Sequence, residues 1–293
     1  MILNNLMSKN KNLTIKEAFN LAVKNHQEGK ADIAQELYNQ ILKINPNHES
    51  TLNNLGVLYK KLGQTQKAKD CFEKAIEINS NFLDAHYNLG TIFVELKDSP
   101  KAKDCFERAI KINSNHEATL NNLGIVFYEL GETQKAMGYY EEAITINPNN
   151  AVALNNLGNI LRELGEKQKA KSCYEKAIEI KPDHADAHNN LGVIYSDLEE
   201  NQKAKDCFEK AIKINPNYQA ALINRGKILF DKGEFELSLI DFDNCNNFDS
   251  RSRALSSLYA LGHIDEIYKR IKKNSQLDEK NIRVAAFSSF IAY

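Results

Sequence analysis

Apolar and small residues recur along this chain at spacings of three and four, in blocks that repeat every 34 residues. Spacings of three and four place residues on one face of a helix, and a fixed period of this length predicts stacked helix hairpins. Six glycines mark the register without any insertion: Gly56, Gly90, Gly124, Gly158, Gly192 and Gly226. We therefore expect an all-α solenoid whose hydrophobic core lies between neighbouring hairpins.

Within one block, the pattern predicts two helices joined by a tight turn. In residues 49–82, Leu52, Leu55 and Tyr59 lie on one face of a first helix, and Gly63 provides the turn. Alanine and aromatic residues at helical spacing then line a second helix. Neither helix can bury its apolar face alone, so each hairpin needs its neighbour.

Helix ends carry their own signals. Thr14 followed by Glu17 is a capping box, which predicts that the first helix begins there. A second helix is predicted from about Ala31 to Ile44. In a later block, Ser99 followed by Pro100 predicts an N-cap at the serine, because proline suits the first helical position.

The block at residues 117–150 carries the full pattern of one repeat family: Leu120, Leu123, Gly124, Phe127, Ala136, Tyr140, Ala143 and Pro148. It resembles the tetratricopeptide repeat, and the resemblance extends over residues 15 to about 250. The resemblance implies a right-handed superhelical solenoid of about seven to eight antiparallel hairpins. It also implies that the first helix of each hairpin lines a concave groove.

The predicted organisation follows from the period. The seventh repeat is degenerate, because Arg225, Ser238 and Cys245 stand where the pattern has leucine and alanine. The segments are an N-terminal tail (1–14), seven repeats (15–48, 49–82, 83–116, 117–150, 151–184, 185–218 and 219–252), a shortened eighth hairpin (253–276) and a C-terminal capping or truncated helix (277–293).

Asparagine stands two residues before every marker glycine, and the series extends one period towards the N-terminus. Its seven members are Asn20, Asn54, Asn88, Asn122, Asn156, Asn190 and Asn224. The series resembles the asparagine ladder of the O-linked N-acetylglucosamine transferase superhelix, which implies contacts with the backbone of an extended peptide. An amide side chain offers both donors and an acceptor to such a backbone. The alternative is that these residues bond to the neighbouring hairpin, and both roles are compatible.

A second series lies seven residues after the ladder. Five consecutive members are acidic: Glu95, Glu129, Glu163, Asp197 and Asp231. They predict an acidic edge of the groove that attracts a lysine- or arginine-rich segment of a protein partner. The alternative is a set of solvated helix ends.

The sequence offers little support for catalysis or for a cofactor. It lacks a glycine-rich phosphate loop and a recognisable nucleophile motif, so we expect no enzyme and no cofactor. His184 and His188 are four residues apart, but the first falls in a turn between repeats, which argues against a metal site. Four of the five cysteines share one repeat position, which favours packing over redox chemistry.

A formal net charge of -1 gives no support for binding to nucleic acid or to a membrane surface. The chain has no apolar run near the roughly 20 residues that a membrane helix needs, and its start does not resemble a secretory signal, so we expect a cytoplasmic protein. The predicted function is a protein-interaction scaffold that binds an extended peptide in its groove. Two alternatives remain: the recognition arm of a larger modifying enzyme, and a self-assembling scaffold that forms homo-oligomers through its apolar C-terminal segment.

Overall fold

The computed structural model describes residues 14–245 and 247–274, and in these residues it contains sixteen α-helices and no strand. The prediction of an all-α fold built from antiparallel helix hairpins is confirmed. The chain divides into two compact units, Met1–Pro148 and Asn149–Tyr293. The predicted N-terminal tail (except Thr14) and C-terminal capping helix lie outside the described residues.

The first unit contains four hairpins. Their helices are α1 (Ile15–Gln27), α2 (Ala31–Ile44), α3 (Glu49–Lys61), α4 (Thr65–Ile78), α5 (Leu83–Glu95), α6 (Ser99–Ile112), α7 (Glu117–Glu129) and α8 (Thr133–Ile146). The second unit also contains four hairpins. Their helices are α9 (Ala151–Glu163), α10 (Lys167–Ile180), α11 (Ala185–Asp197), α12 (Asn201–Ile214), α13 (Gln219–Asp231), α14 (Phe235–Asp243), α15 (Phe248–Ala260) and α16 (Ile264–Asn274).

One predicted helix start is confirmed and another is wrong. Thr14 caps α1 through the expected capping box, in which its hydroxyl accepts from the backbone N–H of Glu17 at 3.2 Å. At α6, however, the N-cap is Asp98, whose carboxylate accepts from the backbone N–H of Lys101 at 3.3 Å. Ser99 is already helical, because the acidic side chain before it satisfies the amide that a serine cap would have bonded.

Each hairpin closes around a contact between the marker glycine and an aromatic ring of its second helix. A Cβ atom on Gly56 would lie 2.6 Å from the ring of Phe72, so only glycine fits there. Ala68 and Ala75, on the same face of α4 as this ring, are fully buried. The small residues let the two helices approach until the ring fills the space between them.

The core continues from one hairpin to the next. Leu52 of α3, Ala75 of α4 and Ala85 of α5 form one buried cluster, with Phe82 packed against it. Within each unit, the second helix of a hairpin contacts the first helix of the following hairpin, and successive first helices also contact one another. The apolar faces are therefore buried between hairpins, as the period predicts.

The turn inside a hairpin requires a left-handed backbone. Gly63, Gly131 and Gly165 have φ between 71° and 80°, but Lys97 and Glu199 adopt φ of 58° and 60° at the same repeat position. A side chain with a Cβ atom is disfavoured in this region by roughly 1–2 kcal/mol. Stacking of the two helices holds these two residues in the glycine conformation.

The last hairpins depart from the period. Helix α14 has only nine residues and ends at Asp243, whereas the other second helices of repeats have fourteen. Asn247 then caps α15 by accepting from the backbone N–H of Ser250 at 2.8 Å. As a result, α15 runs across the predicted boundary between residues 252 and 253, because asparagine side chains end one helix and begin the next earlier than the period implies.

Candidate functional site

All seven ladder asparagines lie on the first helices of hairpins. Asn20 is exposed, and the other six are half-buried. We use the term first-helix face for the surface that carries Asn20, Asn54, Asn88 and Asn122 in the first unit and Asn156, Asn190 and Asn224 in the second. A half-buried amide on this face can contact both the protein and a ligand.

Three of these amides bond to the preceding hairpin. Asn88 Nδ2 donates to Asn53 Oδ1 at 2.9 Å, and Asn224 Nδ2 donates to Asn189 Oδ1 at 3.3 Å. Asn190 Nδ2 donates both to Asn155 Oδ1 and to Asn159 Oδ1, each at 3.0 Å. The alternative interpretation of the ladder, that it bonds neighbouring hairpins, therefore holds at these positions.

A bond of this kind requires an acceptor on the residue 35 places earlier in the sequence, but an asparagine there is not sufficient. Asn121 stands 35 places before Asn156, and its Oδ1 atom is buried without a hydrogen-bond partner. For Asn88, Asn190 and Asn224 that residue is asparagine. For Asn54 it is Phe19, and Asn54 Nδ2 instead donates to the carbonyl of Ser50 in its own helix, at 2.9 Å. An aromatic ring carbon cannot accept in place of an amide oxygen.

Asn122 is the second case with an aromatic predecessor, because Tyr87 lies 35 residues before it. The Tyr87 ring packs on His116 with centroids 5.2 Å apart and on Phe106 with centroids 6.0 Å apart. The Phe19 ring packs on His48 in the same way, at 5.4 Å. At both places, an aromatic–histidine pair stands where other hairpins have an amide acceptor.

Sequence reasoning missed the acceptor asparagines. Asn53, Asn155 and Asn189 are buried, and Asn159 accepts from Tyr174 Oη at 2.9 Å as well as from the ladder. A usable signal was present, since Asn53, Asn155 and Asn189 are the first residues of Asn-Asn pairs. Their distance of 35 residues from the next ladder asparagine marks them as candidate partners, although the same distance also selects Asn121, which does not bond to Asn156.

The five acidic residues all lie at the C-terminal ends of first helices and are exposed. Several contact the start of the second helix of the preceding hairpin: Glu129 Oε2 accepts from Ser99 Oγ at 2.7 Å, and Asp197 lies 3.5 Å from Lys167 Nζ. Glu95 forms an ion pair with Lys60 at 3.0 Å. We call these five residues, two in the first unit and three in the second, the acidic row, and part of their charge is balanced inside the protein.

The histidine pair is used for structure. His188 Nε2 lies 2.9 Å from the carbonyl oxygen of Pro182, and His184 is the buried N-cap residue of α11. Burial lowers the pKa of His184, which favours its neutral form. In the part of the chain that the structure describes, no three histidine, cysteine or acidic side chains are grouped to hold a metal.

The cysteines at the shared repeat position are largely buried. Burial raises the pKa of Cys71 and of Cys207 to about 11, and that of Cys105 to about 12. A thiol must lose its proton to act as a nucleophile or a metal ligand, so these side chains are poor candidates for either role.

Comparison with known proteins agrees with this geometry. Models of the tetratricopeptide repeat match residues 50–82, 82–149, 151–184 and 185–218, which together make up more than half of the chain. The chain belongs to the tetratricopeptide repeat family. This confirms the resemblance found in the sequence and the superhelical repeat class of the fold. Tetratricopeptide repeat proteins are generally protein-interaction scaffolds that bind protein or peptide partners.

Two solved tetratricopeptide structures match at 29% identity. One is YrrB, described as a TPR protein with an unusual peptide-binding site. The match covers 63% of this chain and 95% of the YrrB chain, with a TM-score of 0.51. The other is MamA. The match covers 56% of this chain and 96% of the MamA chain, also with a TM-score of 0.51. A tetratricopeptide repeat protein from Parabacteroides merdae shares the fold. It is 17% identical, and the match covers 83% of this chain and 98% of that protein with a TM-score of 0.65.

No curated protein sequence matches this chain significantly. Among the helices that the structure describes, none combines the length and the apolar character that crossing a bilayer requires.

Proposed function

We propose that this chain is a non-enzymatic interaction scaffold that binds an extended segment of a protein partner along its first-helix face. The proposal rests on one observation, the row of half-buried amides on successive first helices. Asn88 and Asn224 each donate one N–H to a neighbour, and within the described residues no donor reaches their Oδ1 atoms. An acceptor and a second N–H therefore remain available to the backbone of a ligand.

Backbone hydrogen bonds alone would not produce tight binding. Each contributes about 0.5–1.5 kcal/mol, whereas ordering a peptide residue costs about 1–2 kcal/mol. The two roughly cancel, so the affinity must come from side-chain contacts with the partner. The peptide-binding site named for YrrB supports a peptide ligand for this chain as well.

For the charge of the partner, we propose a segment with lysine or arginine residues along the acidic row. Exposed carboxylates in a line favour such a segment, and their effect weakens with salt because the charges lie at the surface. We therefore expect the affinity for the peptide to fall as the ionic strength rises. An affinity that does not change between low and physiological salt would contradict this part of the proposal.

The cytoplasmic location predicted from the sequence stays a proposal. It is supported by the five cysteines, which form no disulfide in the described residues and so suit a reducing compartment.

The test uses peptides selected from a random twelve-residue library with the full chain as bait. The ladder variant carries Asn88→Ala, Asn122→Ala, Asn156→Ala and Asn190→Ala. A matched control carries Gln66→Ala, Gln134→Ala, Gln168→Ala and Gln202→Ala, which removes four exposed amides from the second helices. Circular dichroism first establishes that both variants fold.

We expect the control to keep the affinity of the native chain and the ladder variant to lose at least tenfold. Equal affinities for all three chains would show that the ladder is structural only. Recovery of no peptide by the native chain would overturn the proposed function itself.

A further inference from the structure

The ladder is not uniform, because its members differ in how much of their hydrogen-bonding capacity the protein itself uses. In the first unit, Asn54 donates within its own helix and Asn88 donates to the preceding hairpin. Asn122 does neither, and no hydrogen bond joins its side chain to another described residue. Its amide is half-buried on α7. The third and fourth hairpins are joined elsewhere, by the hydrogen bond from Ser99 to Glu129.

Neither of the two places that could supply an acceptor to Asn122 holds an asparagine. By repeat equivalence with Asn190, these places hold Tyr87 and Thr91 in place of Asn155 and Asn159. Tyr87 presents a ring. The hydroxyl of Thr91 donates to the carbonyl of Asn88 at 2.7 Å and accepts from Lys60 Nζ at 2.8 Å.

A half-buried amide without a protein partner costs free energy unless water or a ligand satisfies it. The Tyr87 ring, which by repeat equivalence stands at the acceptor position for Asn122, packs against Phe106 and His116 and is itself only half-buried. A fixed aromatic surface of this kind favours an apolar or aromatic side chain. Ile125, half-buried on the same helix as Asn122, adds to the apolar character of the surface.

We infer that Asn122 and Tyr87 together set the register of the bound segment. The side-chain amide of Asn122 pairs with one backbone amide of the segment, and an apolar side chain of the segment lies on the Tyr87 ring. Asn190, whose amide nitrogen already donates to both Asn155 and Asn159, chiefly stabilises the stack. This inference rests on the proposed function, because it names the anchor point of the same peptide.

The first test compares single substitutions in the full chain, with the selected library peptides as probes. Asn122→Ala is expected to weaken peptide binding about five- to tenfold, the loss of roughly one good hydrogen bond. It should leave the thermal midpoint of unfolding unchanged. Asn190→Ala, which breaks two inter-hairpin bonds, should lower the midpoint by a few degrees and weaken binding less than Asn122→Ala does.

A second test restores the missing acceptor. Tyr87→Asn places an amide 35 residues before Asn122, as in the bonded hairpins, and should draw the Asn122 N–H away from the peptide. Binding should then weaken, and adding Asn122→Ala should weaken it little further. The variant with four glutamines of the second helices replaced by alanine lies away from this site and serves as the control with near-native affinity.

The peptides provide an independent measure. They should share one apolar position, and replacing that residue by alanine should weaken binding to the native chain but not to Tyr87→Ala. If Asn122→Ala binds like the native chain while the four-asparagine variant does not, the anchor is wrong and the proposed function stands. If the native chain selects no peptide, both the proposed anchor and the proposed function are wrong.

Discussion

At the scale of single residues, the ladder asparagines occupy one repeat position but differ from hairpin to hairpin in the hydrogen bonds that they make. Asn190 has acceptors at Asn155 and Asn159, whereas Asn122 faces an aromatic residue and a threonine at the equivalent places. The distinction is a matter of chemistry, because an amide N–H needs a lone pair within about 3 Å. A ladder that looks regular in the sequence is therefore a mixture of structural and available amides.

Glycine supplies the first prediction at this scale. Gly158→Ala would place a Cβ atom 2.6 Å from the ring of Tyr174, and we expect it to destabilise the fold by about 1–3 kcal/mol through overpacking. Gly138 lies inside α8, where an added Cβ atom would meet nothing within 4 Å. Gly138→Ala should stabilise the protein by about 0.5–1 kcal/mol, because alanine loses less conformational entropy in a helix. Urea unfolding measures both, and equal effects would contradict the close-packing argument.

At the scale of helices, the seventh hairpin shows how a degenerate repeat remains folded. Arg225 replaces the usual leucine and Asp241 the usual cysteine or tyrosine, and the two form a two-fold hydrogen-bonded ion pair at 2.6 and 2.9 Å. Asp241 is 1% exposed. Ser238 Oγ lies 3.2 Å from Ser257 Oγ, which joins α14 to α15. Polar pairs therefore replace the apolar contacts of the other hairpins.

The second prediction concerns this ion pair. Arg225→Leu restores the usual residue of the repeat but leaves the Asp241 carboxylate buried without its partner, so we expect a loss of about 3 kcal/mol. The double variant Arg225→Leu with Asp241→Cys should regain most of the stability, because both residues then match the earlier hairpins. Denaturant unfolding of the native chain, the two single variants and the double variant measures the coupling, and simple additivity of the single effects would refute it.

At the scale of the whole molecule, stability is distributed along the stack, because the main contacts between described helices of a unit join hairpins that are adjacent in sequence. The cysteines report on this distribution. Cys71 and Cys105 lie in the first unit and Cys207 in the second, each on the second helix of a hairpin. Their reactivity follows the local opening of the hairpin that buries them.

The third prediction follows from the thiol pKa values. With a pKa of about 11 or 12, about one thiol in a thousand or fewer is ionised at pH 8 in the folded state. Labelling by iodoacetamide should therefore be slow until urea opens the hairpins. Equal rates in folded and unfolded protein would contradict the burial.

The pH dependence has a definite sign. Burial favours the protonated thiols, so their folded pKa values exceed the unfolded ones. Their contribution to stability is complete below about pH 8.5, the ordinary pKa of cysteine, and is lost as the pH rises towards about 11. Thermal midpoints measured from pH 7 to pH 10 should fall at the alkaline end, and less steeply in a Cys71→Ala, Cys105→Ala and Cys207→Ala variant.

The sequence by itself determined the hairpins. The 34-residue period predicted the repeated pairs of helices, and the Thr14–Glu17 capping box predicted the start of α1, because these depend on local spacing and local hydrogen bonds. It also placed all seven ladder asparagines on first helices, since residues two before the marker glycine share their helix.

Only the tertiary structure decided which asparagines the protein uses for itself. That outcome depends on residues 35 places apart that meet when hairpins stack, such as Asn53 with Asn88, and on the loss of the acceptor where Tyr87 stands. The early end of α14 and the ion pair of Arg225 with Asp241 were settled in the same way. A local pattern fixes each helix, whereas the partner of a polar side chain is fixed by the neighbour that packing brings to it.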